Sequence, residues 1–273
     1  MKRKFMFCVA AIGLCLLLLF SMGCEKLKAR DNLNKGVLAF KNAKYPEAVE
    51  HFKISVDLDP TFPTARLYLA TAYMMQYIPG ADSPENNRMA KAAYDNFMEV
   101  LKQDPKNNVA IASIASLYLN QKKFDEAAEW NRKLIEVAPE NKEAHYSLGF
   151  IAWSKWYPAL MTERAKLGMK QEDPGPIKDK KVRERLKTEY GAIVESGVKS
   201  LERALEIDKE YDDAMAYMNL LIRERADLAD SADQYKKEIE AADGWVTKAL
   251  ETKKIKTARM PAGAGGITTE PAQ

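Results

Sequence analysis

Residues 45–60 read YPEAVEHFKISVDLDP, residues 90–105 read AKAAYDNFMEVLKQDP, and residues 124–139 read FDEAAEWNRKLIEVAP. In each stretch an alanine (Ala48, Ala93, Ala127) stands twelve residues before a proline (Pro60, Pro105, Pro139). The first two also carry a phenylalanine four residues after the alanine, Phe52 and Phe97. Apolar residues three and four apart put a stripe on one face of a helix. The proline closes each helix, because the residue before a proline avoids the helical region. A fourth copy, Gly197 and Leu201 followed by Lys209, keeps the spacing and loses the proline. Upstream of three copies stand Leu69-Ala70 with Tyr73, Ala115 with Tyr118, and Leu148-Gly149. Small residues such as Ala48, Ala70, Ala93, Ala115 and Gly149 let neighbouring helices approach, and the large ones fill the gaps between them. A single helical hairpin cannot bury such a stripe alone, so hairpins must stack.

These residues resemble the tetratricopeptide repeat, a helix-turn-helix unit of about 34 residues. The resemblance implies an all-α, tetratricopeptide-type α-solenoid of about five units: 29–62, 63–107, 108–141, 142–211 and 212–256. Units one to three match well. The fourth is 70 residues long and so carries an insertion of about 36 beyond the usual repeat length. The fifth rests on Ala242, Val246 and Ala249. Ser83-Pro84 has the form of a helix N-cap followed by proline in the first turn, which ends the insertion in unit two there.

The amino terminus has a different logic. Lys2, Arg3 and Lys4 precede an unbroken apolar run over residues 5–20, and Ser21-Met22-Gly23-Cys24 follows. A basic start, an apolar stretch and small residues form an export signal. The end of this segment resembles the lipobox of bacterial lipoproteins, which implies cleavage after residue 23, lipid on Cys24 and a short lead over 24–28. An uncleaved anchor and ordinary secretion are the competing readings, since residues 5–24 are just long enough to span a bilayer. Glu25 stands where an Asp marks inner-membrane retention, so the resemblance favours the periplasmic side of the outer membrane in a bacterial envelope. Removal of residues 1–23 leaves 39 basic against 39 acidic side chains and takes away Cys8 and Cys15. That balance gives no electrostatic footprint for nucleic acid. Two His and three Cys argue against a metal site. The Gly-rich tail, residues 257–273, lacks the Lys-Ser/Thr of a phosphate loop and reads as disordered.

In the family the resemblance points to, the first helix of each unit lines a concave face through its second, fifth, ninth and twelfth positions. Carried over, partner-binding candidates are Leu33, Val37 and Phe40 in unit one and Leu67 and Met74 in unit two. Leu119 is the candidate in unit three, and Tyr146, Phe150 and Trp153 are those in unit four. These positions hold neither the Lys nor the Asn of a carboxylate clamp. An apolar groove suits an amphipathic helix or an apolar peptide; the competing reading is that the chain's own insertion fills it. In HYSLGFIAWSKWYP, Phe150, Trp153, Trp156 and Tyr157 fall at helical spacing before Pro158, which is expected to interrupt the helix. Beyond it, QEDPGPIKDKK (residues 171–181) reads as a loop, and residues 162–187 hold nine basic side chains against five acidic. That excess is a solvated loop or a contact for anionic lipid. His51 and His145 lie far apart with no nucleophile beside them, so catalysis is not expected. The expectation is a lipid-anchored, non-enzymatic scaffold without cofactor or metal, holding envelope proteins through its groove. The rival function is a module for a lipid or apolar small molecule around Phe150 and Trp153.

Overall fold

The computed structural model describes residues 24–170 and 172–259. The export signal expected over 1–23 and the tail from 260 onward lie outside the described residues. The described chain is predominantly helical, and no strand occurs among these residues. In order the helices are α1 (residues 24–41), α2 (Tyr45–Leu58), α3 (Pro63–Gln76), α4 (Pro84–Gln103) and α5 (Asn108–Asn120). They continue with α6 (Phe124–Val137), α7 (Lys142–Lys166), α8 (Lys180–Ile207), α9 (Asp212–Arg225) and α10 (Ala232–Arg259), a short 3-10 turn at Ala226–Leu228 lying between the last two. Two compact units divide between Trp130 and Asn131, inside α6. No described helix is long and apolar enough to cross a membrane.

The same local chemistry ends units one, two and four. Asp59, Asp104 and Asp208 each accept, through a side-chain oxygen, the backbone N–H two residues on, at Thr61, Lys106 and Glu210. A backbone bond then closes the turn, Phe62 N–H to Asp59 C=O, with the same bond at 104–107, 138–141 and 208–211. Asx turns of this kind give the chain an alternative to helix and so stop it cleanly. The next helix starts on a cap: the Asn107 side chain accepts from Ala110 N–H at 3.0 Å and that of Asn141 from Ala144 N–H at 2.8 Å. Ser83 caps α4 by accepting from Asn86 N–H, with Pro84 in the first turn. Within hairpins the reversal is equally repetitive. Ala43 and Lys122 take positive φ, 57° and 56°, and the next residue donates back to Ala39 C=O and Tyr118 C=O respectively.

In the first unit Phe52, Phe97, Ile114, Leu117 and Val100 form the buried filling, and Ala48, Ala65, Ala93 and Ala110 are fully buried where helices meet. The connector 77–83 is held by Asn86, whose side chain accepts from Ile78 N–H and donates to Ile78 C=O and Ala81 C=O. In the second unit the core is Trp156, Leu160, Leu186, Leu201, Met218 and Leu221. α7 and α8 approach closely at Gly197, where an added Cβ would stand 2.4 Å from Ala152 Cβ, and at Gly149, where it would meet Leu201.

Three expectations need correction. Residues 24–28 are not a separate lead but the first turns of α1, because Glu25, Lys26, Leu27, Lys28 and Ala29 are all good helix formers. Residues 257–259 belong to α10, whose final Arg259 ion-pairs with Glu210, rather than to a tail. Pro158 does not interrupt α7, which runs on to Lys166. Pro158 lies on the exposed side of the helix, and Thr162 Oγ1 donates to Pro158 C=O at 2.7 Å. The insertion of unit four is therefore a lengthening of both α7 and α8, joined by residues 167–179, rather than a loop domain.

Candidate functional site

The proposed groove residues fall into both units. In the first, Leu33, Val37 and Phe40 on α1 are half-buried against one core cluster, and Leu67 and Met74 on α3 against the next. Phe40 makes edge contacts with Tyr45 and Tyr68 at 5.3 and 6.4 Å. Leu119 is half-buried near the end of α5. These side chains are partly used in packing. More open apolar residues of this unit are Leu27, Leu38, Ile78 and Val109, at 70%, 63%, 65% and 50% exposure, none among the candidates above. Cys24 is an exposed thiol at the start of the described chain.

In the second unit Tyr146, Phe150 and Trp153 come together, with partners that the sequence reading did not include. Tyr217 on α9 meets Tyr146, Phe150 and Trp153 at 5.7, 5.2 and 5.4 Å, all edge-on. Tyr211 lies 5.2 Å from Tyr146, and Tyr157 stacks on Trp153 at 5.1 Å. This half-buried ladder is favourable beyond the area it covers. Burial pushes the Tyr211 phenol up to about 12 and raises that of Tyr146 too. Trp156, in the same sequence stripe, faces the other way into the core and is fully buried.

At the end of the ladder a cavity of about 480 Å³ opens between α7, the 167–179 segment, α9 and α10, with Trp153, Tyr157, Glu172, Asp173, Glu224 and Asp227 among its lining. Phe150 does not line it. Trp153 Nε1 donates to Glu224 Oε1 at 3.0 Å, while Glu224 Oε2 is buried without a hydrogen-bond partner. Burial lifts the Glu224 carboxyl to about 7, against the pull of the Trp153 hydrogen bond. Arg164, 3% exposed, donates to Asp227 Oδ2 at 2.6 Å and to the carbonyls of Lys170 and Asp173, tying the inserted segment down. Burial raises the Asp227 carboxyl and the Arg164 guanidinium opposes it. Gly175 N–H donates to the Tyr235 hydroxyl at 3.0 Å, and a Cβ at Gly175 would collide with Asp227 Oδ1, so this backbone approach requires glycine.

The lining of this cavity is thus mixed, with four carboxyl groups and two arginines beside aromatic and apolar side chains. Leu220 and Arg223, also in the lining, occupy the ninth and twelfth positions of the fifth unit. Carrying the register one unit further along the sequence would have reached them; nothing local points to Glu224 or Asp227. His51 Nδ1 lies 3.4 Å from Asn32 Oδ1, and His145 Nε2 lies 2.9 Å from the Pro139 carbonyl. Among the described residues no three His, Cys, Asp or Glu side chains gather where they could hold a metal.

This architecture of helical hairpins has the fold of a tetratricopeptide-type α-solenoid. Models of the tetratricopeptide repeat match residues 33–108 and 110–141. The mitochondrial import receptor subunit TOM70 of Rattus norvegicus is 24% identical over 196 residues, covering 72% of this chain. The chain spans about a quarter of that relative, 26% of its length. Among solved structures, MamA superposes with a TM-score of 0.57 at 13% identity, covering 87% of this chain and 98% of MamA. YrrB, described as a TPR protein with an unusual peptide-binding site, gives 0.51 at 13% identity over 82% of this chain and 90% of its own.

Proposed function

We propose that this chain is a non-enzymatic scaffold of the bacterial envelope, tethered by lipid on Cys24, that holds an apolar or amphipathic segment of a partner protein. The observation that carries the reading is the run of half-buried apolar and aromatic side chains on first helices: Leu33, Val37, Phe40, Leu67, Met74 and Leu119 in one unit, Tyr146, Phe150 and Trp153 in the other. Half-buried aromatic groups are already ordered by packing, so a partner that covers them gains area at little entropic cost. The repeat architecture adds support, since YrrB is described as peptide-binding and TOM70 as an import receptor. The Lys2-to-Cys24 segment supports export and anchoring, with the outer membrane favoured.

The test is photo-crosslinking in cells, with the crosslinker placed at Phe40, Met74 or Phe150 and, for comparison, at the exposed second-helix residues Lys53 and Lys102. The expected result is one protein, identified by mass spectrometry, captured from first-helix positions. Capture only from Lys53 and Lys102 would overturn the groove assignment.

A further inference from the structure

The cavity beside Trp153 has an imbalance of charge that the scaffold reading does not use. Of the two arginines in its lining, Arg164 is neutralised by Asp227, and Arg223 is engaged by Asp243 and Asn219. Three carboxyl groups remain, on Glu172, Asp173 and Glu224, and among the described residues none of them forms an ion pair. Asp173 accepts only the backbone N–H of Lys170, at 2.7 Å, and Glu224 only the indole N–H of Trp153. Glu224 Oε2 is thus a buried acceptor without a donor, an arrangement that costs free energy unless something supplies one. Arg164 Nε is likewise buried and unpartnered, a donor facing the opposite need.

The rest of the lining decides what kind of donor fits. Trp153 and Tyr157 form an aromatic wall, and Met161, Leu220 and Ile239 are apolar. Aromatic faces beside carboxylates attract organic cations, which lose less on leaving water than an inorganic ion does. An apolar stem behind the charged head matches the apolar side of the cavity, and about 480 Å³ lies in the size range of small-ligand sites.

We propose that this cavity binds an organic ammonium or guanidinium on an apolar stem, its head between Glu224, Asp173 and Glu172 and its stem along Trp153 and Tyr157. Arg164 Nε–H then serves an acceptor oxygen on the same ligand, such as the carbonyl beside a lysyl or arginyl side chain. The cation compensates the carboxyl that burial leaves without a counter-charge, consistent with the upward displacement of Glu224 to about 7. The inference goes beyond the scaffold reading and does not depend on it, because the cation can arrive on a partner's side chain or as a free amine.

The experiment is calorimetric titration of the purified full chain at pH 7.5 with N-acetyl-lysine methylamide, its uncharged counterpart N-acetyl-norleucine methylamide, and n-butylammonium. The lysine derivative is expected to bind about tenfold or more tightly than the norleucine one. Glu224→Gln should lose about tenfold in affinity for it, and the loop variant Glu172→Gln about threefold. Butylammonium binding as well as the lysine derivative assigns the site to free amines; much weaker binding assigns it to a side chain on a peptide. Equal binding of lysine and norleucine derivatives overturns the proposal, as does the absence of binding at millimolar concentration. Unchanged affinity in both variants does the same. Should Glu224→Gln fail to fold, the probe pair and Glu172→Gln still decide. Crosslinking along the first helices is a separate readout, so failure of one reading leaves the other standing.

Discussion

A carboxyl that loses water without gaining a cation holds its proton longer in the folded chain, and Glu224 is such a group. Its folded value of about 7 lies above the ordinary 4.5. As pH rises between these values the unfolded chain releases the proton first, so the native state binds more protons and stability falls. Above about 7 the loss is complete and the curve is flat. The upper bound on the effect is about 3 kcal/mol, reduced by the water that reaches this partly exposed cavity. Thermal melts should therefore show wild type more stable at pH 5 than at pH 7.5, with that difference shrinking in Glu224→Gln. An equal difference in both proteins would mean that another group is responsible. None of this was legible in the sequence, where Glu224 is one acid among the alternating charges of LIRERAD. Its environment comes from Trp153, 71 residues earlier.

At the level of helices, the recurring small residue is the part of the pattern with the plainest physical content. Gly149 and Gly197 sit at corresponding places of a hairpin, and both would clash if given a Cβ. Gly197→Ala brings a methyl against Ala152 Cβ, which is fixed to the backbone of α7 and cannot turn aside. The expected cost is about 1–3 kcal/mol in chemical denaturation. Gly191 lies on the same helix with open space around it, so Gly191→Ala should be neutral or stabilising by about 0.5–1 kcal/mol. Similar effects at the two positions would show that helix propensity, and not the α7–α8 approach, governs this hairpin. The spacing of small and large residues was readable because it recurs within each helix. The course of the insertion was not. PGP marks a loop correctly, yet Pro158 looks like a stop and is carried inside a 25-residue helix. What overrides it is burial of Trp156 and Leu160 on either side, held against Leu186 and Tyr190 of α8.

For the molecule as a whole, the proposed anchoring turns on one atom. Cys24 Sγ is exposed at the head of α1, and the described body holds no other cysteine. Under the proposed function, Cys24→Ser should abolish palmitate labelling and move the protein from the membrane to the soluble fraction. Persistent labelling would place the lipid elsewhere or remove it from the account. Such a tether would hold a charge-balanced body, since the only net charge in the sequence lies in residues 1–23.

The sequence by itself determined the helical-repeat class, because Ala48-to-Pro60 and its copies are local patterns that each hairpin must satisfy independently. It also placed three helix ends, since Pro60, Pro105 and Pro139 act on the residue just before them and α2, α4 and α6 stop there. Only the tertiary structure decided the pairing of Arg164 with Asp227, the aromatic ladder through Tyr217, and a cavity in which three of the four lining carboxyls have no ion pair among the described residues. Those features join residues 51 to 71 positions apart whose types carry no mark of their partners. Their chemistry exists only once α7, the inserted segment and α9 have packed together.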